Sequence, residues 1–438
     1  FIQCDTLTNK TPNPITWDLN GSPYYIDQDV VLAEGDTLII HPGVKVAFRG
    51  PYTMEVNGIV HANGSTDEPI IFTRSNWEPR WDGIIYDNIT AGTDSSLLIN
   101  CTFEYAYALP SSIAGRNSGA AIKVIGFDKL RIDNCIFQHN LVDQDGTLPP
   151  SGAGIGLWDA SIHIKNTIFR YNTAKYGGGL ICYDGSDGLI EHCLFHDNHA
   201  ETYGGAIEVY AAAPIFKNNT VVNNTCLIYG GGFDIQQDCN PVTFENNIIY
   251  GNKKILNDTT FEPHQISFDT HNNVISLNYN DIEGGIEAFY GSHTINQNNV
   301  TISEDPIFCF PEYLNFHLAF ESPCCGQPNC PDPGYMGAYE ANCFVSLPEV
   351  SSFTSALIYP NPVADGPLNL RINIESKSEL KVIIYDLLGH EVAGIPSAWF
   401  GEGEQELQLP AESLSPGTYI LKIYLGNTIR SAKFVKLR

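Results

Sequence analysis

The chain has 438 residues, of which 43% are hydrophobic and 17% charged, and its formal net charge at pH 7 is −27. This length is enough for two or more domains with buried cores. The acidic excess argues against nucleic acids and anionic membrane surfaces as partners, because both repel a strongly negative protein. No run of about 18 apolar residues occurs, so the sequence predicts no membrane span.

The first residues and the cysteine content indicate an exported protein. The chain begins at Phe1 rather than Met, which we interpret as a mature product whose leader has been removed. Its 12 cysteines, an even number, fit an oxidising compartment. We expect residues 1–25 to form an N-terminal segment that supplies a strand for assembly.

One pattern repeats through the middle of the chain, an apolar residue three positions before an asparagine. It recurs at roughly 26- to 32-residue intervals. Its apolar anchors are Phe137, Phe169, Phe195, Val221 and Ile249. Apolar and polar side chains alternate around each anchor, and glycine strings such as Tyr203–Ile207 start a second set of strands. Short strands at this period favour a parallel β-helix over an antiparallel sandwich, which would need hairpin turns in step with the repeat.

These strings resemble the repeats of polymorphic outer-membrane proteins and related right-handed β-helix surface proteins. The segment Leu38–Phe48 resembles the first coil of such helices, and the segment Asp305–Glu340 resembles their terminal cap. The resemblance implies a right-handed parallel β-helix over residues 26–343, with a C-terminal cap. It says little about function, because β-helices host lyases, hydrolases, adhesins and inert spacers alike.

Equivalent residues of successive coils are expected to stack in columns about 4.8 Å apart. Asparagine tolerates the left-handed backbone region, and its amide can donate and accept along such a column. The predicted structural ladder is Asn100, Asn134, Asn166, His192, Asn218 and Asn246. A neighbouring column alternates in charge and predicts ion pairs between coils. Its members are Asp133, Lys165, Glu191, Lys217 and Glu245.

The cysteines predict disulfides in two places. Cys101 and Cys135 occupy the same position in successive coils, and stacked coils bring such residues within disulfide reach. The cysteines expected to staple the terminal cap are Cys309, Cys324, Cys325, Cys330 and Cys343. Zinc is disfavoured there, because the segment lacks a Cys-x-x-Cys pair and a nearby histidine.

The composition changes after Cys343. Residues 344–356 predict a Ser/Pro-containing linker, and the alternating strands of residues 357–438 predict a small immunoglobulin-like sandwich. The strings Tyr359–Pro362, Tyr385–Gly389 and Gly417–Lys422 resemble, in order, the motifs of the type A C-terminal sorting domain of the type IX secretion system. The resemblance implies export through the outer membrane of a Gram-negative bacterium, with the type IX machinery as a partner.

Trp158, Tyr183 and Tyr210 are predicted to stack on the outer face of three successive coils. Exposed aromatic rings in a row contact sugars or another protein, unless a long loop such as residues 141–151 covers them. No catalytic set is recognised among the outward-facing charges of the same strands, which are Lys123, Glu208 and Asp234.

Two further features concern ions and modification. No metal or cofactor is predicted; the string Asp184–Gly188 offers oxygen ligands for calcium, but it lacks the full loop pattern and is interpreted as a turn insertion. Four Asp-Ser/Thr pairs resemble the O-glycosylation pattern of bacteria with type IX secretion. The acceptor residues are Thr6, Thr37, Ser95 and Thr259.

The sequence therefore favours an extracellular, non-catalytic structural or adhesive surface protein. Head-to-tail self-association into a fibre is one form of that role, because the ends of a β-helix carry strand edges that can pair. The alternatives are a polysaccharide lyase or glycoside hydrolase, which needs converging acid and base groups, and a glycan-binding module, which needs only the aromatic face.

Overall fold

The structure is a computed structural model that describes residues 13–75, 80–87, 95–108, 116–142, 151–257, 259–297, 299–325, 334–343, 353–364, 367–374, 377–386, 391–425 and 428–437. The chain divides into two compact units, Phe1–Cys343 and Phe344–Arg438. Two short 3-10 helices, Ile286–Ala288 and Pro311–Tyr313, lie among the strands of the first unit. No helix of the described residues has the length and hydropathy needed to cross a membrane.

Stacked parallel strands build the first unit, and each turn of the chain adds one strand to each sheet in succession. Sheet one has eleven strands, Ile15–Trp17, Thr37–Ile40, Ile59–Asn63, Ser96–Ile99, Leu130–Asp133, His163–Lys165, Leu189–Glu191, Ile215–Lys217, Val242–Glu245, Asn273–Asn278 and His293–Gln297. Sheet two has ten strands, Tyr24–Ile26, Lys45–Phe48, Ile70–Arg74, Cys101–Glu104, Ile136–Gln138, Ile168–Arg170, Leu194–His196, Thr220–Val222, Ile248–Tyr250 and Asp281–Ile282.

Two more sheets stack in the same way, and in the described residues sheet three begins only at Tyr107. Sheet three has seven strands, Tyr107–Ala108, Leu141–Val142, Thr173–Tyr176, His199–Tyr203, Thr225–Cys226, Lys253–Asn257 and Thr260–Pro263, of which the last pairs antiparallel. Sheet four has nine strands, Val30–Leu32, Met54–Val56, Ile84–Asp87, Ile122–Ile125, Ile155–Trp158, Leu180–Tyr183, Ile207–Tyr210, Phe233–Gln236 and Ile266–Phe268. This parallel stacking confirms the predicted β-helix.

The core of the coils is a column of apolar side chains. The phenylalanine rings of sheet two stack with centroids 4.5–5.0 Å apart and are fully buried. They are Phe72, Phe103, Phe137, Phe169 and Phe195. Because the side-chain period of a strand is two, the alternating pattern places every anchor inside.

The β-helix begins earlier than predicted, and its terminal segment packs along the side of the coils. Ile15–Trp17 and Tyr24–Ile26 already pair with the second coil, so part of the segment predicted to lie apart belongs to the first coil. The segment from Phe308 to Cys343 packs its apolar residues on the outer side of sheet two, where Phe316 joins Leu194 and Val222. It forms a small sheet from Phe308–Phe310, Asn315–Ala319 and Ala341–Cys343.

The second unit is an antiparallel sandwich, as predicted. One sheet contains Phe353–Tyr359, Leu368–Ile374 and Gly403–Leu409, and the other contains Glu391–Phe400, Ser378–Tyr385, Gly417–Leu425 and Thr428–Lys436. Alternate side chains of facing strands, such as Leu370, Ile372, Val382 and Ile423, are buried between the two sheets.

Candidate functional site

A cavity of about 410 Å³ opens on the outer side of sheet four, beside the last two strands of that sheet. We call it the cleft; it is lined by Tyr203, Tyr229, Asp234, Gln236, Phe268, Asp269, Thr270, Tyr290, Gly291 and Ser292. Cavities of roughly 300–1,000 Å³ with aromatic walls and a few polar groups are typical of ligand sites in proteins.

The first wall of the cleft is a column of tyrosines. Tyr176, Tyr203 and Tyr229 each precede a Gly-Gly pair, and Tyr290 comes from the irregular last coil. The rings of Tyr229 and Tyr290 stack at 4.4 Å, and the Tyr290 hydroxyl donates to that of Tyr229 at 3.2 Å. Tyr290 ends the column of described rings and is 48% exposed, so it offers a sugar or another flat group an accessible surface.

Glycine is required where this wall turns into sheet four. Gly204 has φ +64°, and a Cβ atom on it would lie 2.5 Å from the carbonyl oxygen of Ile207. The paired glycines therefore let the turn fold tightly over the strand that follows it. This tight turn places the tyrosines close to the outward-facing residues of sheet four.

Outward-facing carboxylates of sheet four form a buried column that reaches the cleft at Asp234, and we call this column the floor. Glu208 and Asp234 are in register on neighbouring strands and are only 4% and 2% exposed. Burial, together with the nearby Asp234, raises the pKa of Glu208 well above its usual range, and Oε2 of Glu208 has no hydrogen-bond partner in the described part of the chain. The Tyr-Gly-Gly turns cover this column. The alternation of inward and outward side chains along the strands does not by itself reveal that these outward residues are buried.

Asp234 lies at the point where the floor reaches the cleft. Burial raises its pKa to about 7, although hydrogen bonds from Ser267 and Gln236 favour the charged form, and the negative charge of Asp269 raises the pKa further. At neutral pH this carboxyl group is therefore close to half ionised. Its protonation can therefore change when a charged ligand binds beside it.

The second wall continues the predicted aromatic column. Trp158 stacks on Tyr183 at 4.1 Å, Tyr183 stacks on Tyr210 at 4.4 Å, and the column continues through Gln236. Stacking covers both faces of the Tyr183 ring, so the column presents ring edges and hydroxyl groups rather than free faces. Residues 143–150 of the loop proposed to cover it lie outside the described residues.

Asp269 closes the second wall as a fixed negative charge. Its Oδ1 accepts from the His271 amide at 3.0 Å and from Asn273 Nδ2 at 2.7 Å, and its Oδ2 accepts from the Gln237 amide at 3.1 Å and from His271 Nδ1. Burial alone would raise the pKa of Asp269, but these hydrogen bonds outweigh burial and lower it. With both oxygens occupied, Asp269 is poorly placed to take a proton from a substrate.

The predicted asparagine ladder differs from the observed one. The six predicted residues, Asn100, Asn134, Asn166, His192, Asn218 and Asn246, all take left-handed backbone angles, with φ between 50° and 55°. Only one side-chain hydrogen bond joins two of these six described residues, from Asn134 to Asn100. They are corner residues; Asn134 is exposed, whereas Asn218 and Asn246 are buried.

The continuous ladder lies three residues after each anchor. Each amide Nδ2 donates to the Oδ1 of the next residue at 2.9–3.0 Å, and each side chain is buried. The ladder consists of Asn140, Asn172, Asn198, Asn224 and Asn252, and it continues to Gln265. A second buried ladder contains Asn219, Asn247 and Asn280.

The disulfide between Cys101 and Cys135 was predicted wrongly. Both residues are buried free thiols that donate to backbone carbonyls, Cys101 to Ala62 at 3.5 Å and Cys135 to Leu98 at 3.3 Å. In the terminal segment the structure joins Cys309 to Cys343. Cys324 is a free thiol, Cys330 lies outside the described residues, and the pairing of Cys325 stays a prediction.

The remaining predicted positions are structural or untested. The charged column pairs between coils, with Lys165 3.2 Å from Glu191. In the string predicted as a turn insertion, Asp187 accepts from the Ala213 amide at 2.6 Å. Among the described residues, no group of three His, Cys, Asp or Glu side chains is arranged to hold a metal ion.

The O-glycosylation candidates stay predictions. Thr37 and Ser95 are half-buried, Thr259 is exposed, and Thr6 lies outside the described residues.

The sequence did not predict Tyr229, Tyr290 and Asp269 as members of a site. The Tyr that recurs before each Gly-Gly pair could have indicated Tyr229. Tyr290 lies in the irregular last coil, outside this repeat, so no sequence pattern indicates it.

Two family models match the chain. Residues 83–300 match the right handed beta helix region, and residues 357–437 match the secretion system C-terminal sorting domain. A comparison with curated proteins finds no significant match.

The chain is thus a right-handed β-helix protein that carries a C-terminal sorting domain. The sorting domain marks it for export by the type IX secretion system and for attachment at the cell surface, so the protein is extracellular and its sorting domain meets the type IX machinery.

Proposed function

We propose that this protein is a non-catalytic, adhesive surface protein that binds glycans in the cleft. The observation that carries the proposal is the exposed Tyr290 ring at the end of a tyrosine wall, above a cavity of about 410 Å³. A β-helix is a rigid platform, and sorting by the type IX system places this platform outside the cell. Rigid display of a binding cleft is what an adhesive surface protein requires.

The lining of the cleft supports a sugar ligand. Sugars present apolar ring faces and many hydroxyl groups, and they are bound by aromatic rings together with hydrogen-bonding side chains. The cleft supplies both, with Tyr290 and Phe268 beside Gln236, Thr270 and Ser292. The edges of Trp158, Tyr183 and Tyr210 extend this surface along the helix for further sugar units.

The arrangement of the carboxyl groups favours binding over hydrolysis. A glycoside hydrolase needs one protonated carboxyl group as the acid and one available carboxylate as the base or nucleophile. Asp234 could serve as the acid, but both oxygens of Asp269 already accept hydrogen bonds. A polysaccharide lyase is the other catalytic alternative, and it likewise needs a base that is free to take a proton.

The test is a titration of surface polysaccharides and their oligosaccharides with Tyr290→Ala. We expect the affinity to fall about tenfold or more, since a stacked aromatic contact is worth roughly 0.5–1.5 kcal/mol beyond its buried area. Tyr313→Ala is the matched control, because Tyr313 is 77% exposed and does not line the cleft. Equal affinity in both variants contradicts the site, and release of shortened glycans by the wild-type protein contradicts the non-catalytic assignment.

A second proposal is self-association into a fibre. It is favoured by two edge strands at the end of the β-helix, Thr260–Pro263, whose four residues are exposed, and His293–Gln297, none of whose residues is buried. An exposed edge strand offers unpaired backbone groups to another chain. Regular filaments in electron micrographs of the native protein are the expected result, and isolated particles at high concentration oppose it.

A further inference from the structure

We propose that the cleft selects glycans that carry free amino groups, with a sugar ammonium held between the tyrosine wall and the carboxylates of Asp234 and Asp269. This inference rests on the proposed glycan binding and adds the chemical class of the ligand. Its basis is the distribution of charge and aromatic rings around the cavity.

The lining of the cleft is acidic. Of its ten lining residues, all of them described, two are aspartates and none is Lys, Arg or His. A neutral glycan gains nothing from such charges, and an anionic glycan is repelled by them. A cationic group is the one ligand charge that both aspartates attract.

The groups around the cleft leave this acidic character in place. His271 is hydrogen-bonded to Asp269, and His293 stacks on Phe268 at 4.7 Å. Burial lowers the pKa of His264, whose ring lies 5.6 Å from that of Tyr290, so this ring stays neutral at pH 7. Glu208 lies beneath, where burial raises its pKa well above the usual range. Lys254 also lies near the cleft, as a cation against the Tyr229 ring.

The position of Lys254 shows that the tyrosine wall accepts a cation. Its ammonium nitrogen lies 4.7 Å from the centre of the Tyr229 ring. Lys and Arg cations over an aromatic face are stabilised by the ring quadrupole within about 6 Å. Tyr290 stacks in the same column and is 48% exposed, so a ligand ammonium can make an equivalent contact from the cavity side.

The titration of Asp234 gives the proposal a pH signature. An ammonium beside Asp234 favours the ionised carboxylate, so binding of the cation and loss of the proton are linked. Below the pKa of about 7 the protonated carboxyl group must first release its proton, and the affinity falls as the pH decreases. Above that pH the carboxylate is already charged, and the affinity for a ligand with a permanent positive charge becomes constant.

The experiment is calorimetric titration of the full chain with two matched oligosaccharides, a β-1,4-linked glucosamine oligomer and its fully N-acetylated counterpart. We expect the amino form to bind about tenfold more tightly, which corresponds to about 1.4 kcal/mol. Asp234→Asn keeps the shape of the side chain and removes its charge, and it should reduce the difference, since the charge of Asp269 remains. Glu312→Gln removes an exposed carboxylate away from the cleft and should leave the difference intact.

A pH series on the wild-type chain tests the inference without any variant. The probe is an N-trimethylated glucosamine oligomer, whose charge does not change with pH. Its affinity should fall as the pH is lowered from above to below 7, and a flat profile overturns the role of Asp234.

The outcomes separate the two proposals. Tighter binding of the amino form, by a factor that shrinks in Asp234→Asn, supports the selection of amino groups. Equal binding of both oligomers overturns this selection while glycan binding stands. Absence of binding to either oligomer, and to the polysaccharides tested with Tyr290→Ala, overturns the proposed glycan binding itself.

Discussion

Two columns of buried polar side chains in the β-helix share one geometry and differ in chemistry. The asparagines from Asn140 to Asn252 and the carboxylates of Glu208 and Asp234 both stack once per coil, in register, away from water. An amide both donates and accepts, so identical amides satisfy one another along the column. A carboxylate only accepts, so identical carboxylates repel.

Burial raises the pKa of both carboxyl groups, so protonation, which relieves this repulsion, is favoured over a wider pH range. The pKa of Glu208 is raised well above its ordinary value and that of Asp234 to about 7. The amide column is therefore self-sufficient and stabilises the fold. The carboxylate column is left with an unpartnered oxygen on Glu208, beside a cavity that can admit a ligand.

The largest expected effect is the loss of one rung of the amide ladder. In Asn198→Leu, the backbone N–H of Asn172 loses its acceptor, Asn198 Oδ1. The backbone carbonyl of Phe169 loses its donor, Asn198 Nδ2. Leaving two or three such groups unsatisfied should lower the unfolding free energy by about 4 kcal/mol, measured by denaturant titration.

The control for that ladder is the corner residue Asn134, which is exposed and has φ 53°. Asn134→Leu meets the cost of a left-handed backbone and loses one exposed hydrogen bond to Asn100, so we expect a loss of about 2 kcal/mol or less. Equal losses for the two variants would contradict the distinction between ladder and corner.

An effect of similar size is expected in the pH dependence of stability. The pKa of Asp234 is about 7 in the folded chain, compared with 3.8 for a free aspartate side chain. Between these pH values the folded state therefore binds a proton that the unfolded state has lost. Stability should therefore fall as the pH rises from about 4 to 7, by about 4 kcal/mol from this residue. Asp234→Asn should remove that slope and be more stable than the wild type at pH 8, as followed by denaturation at several pH values. An unchanged slope would refute the protonation of the column.

The smallest effect is expected for charges stacked in water. Lys217 lies 3.9 Å from Glu245 in the alternating column, and both side chains are more than a third exposed. Exposed ion pairs contribute about 0–1 kcal/mol, so Lys217→Ala should change the unfolding free energy by less than about 1 kcal/mol. A larger loss, still present at high salt, would show that this column stabilises the coils in a way that its exposure does not explain.

The comparison also explains which parts of the site the sequence predicted. Trp158, Tyr183 and Tyr210 could be placed in one column, because a strand period of two and the length of the repeat fix their register. The ladder was assigned to the wrong asparagines, since both columns repeat with the same period. Periodicity cannot tell a corner residue from one whose side-chain amide bonds along the column.

The sequence by itself determined the parallel coils, the buried anchors, the sandwich and the sorting motifs, because each depends on local alternation or on short strings. Tertiary structure decided the rest. The Tyr-Gly-Gly turns fold over sheet four and bury Glu208 and Asp234, and the irregular last coil brings Tyr290 onto Tyr229. Burial and charge proximity set the pKa of a carboxyl group, and both depend on neighbours from other coils that no local pattern encodes.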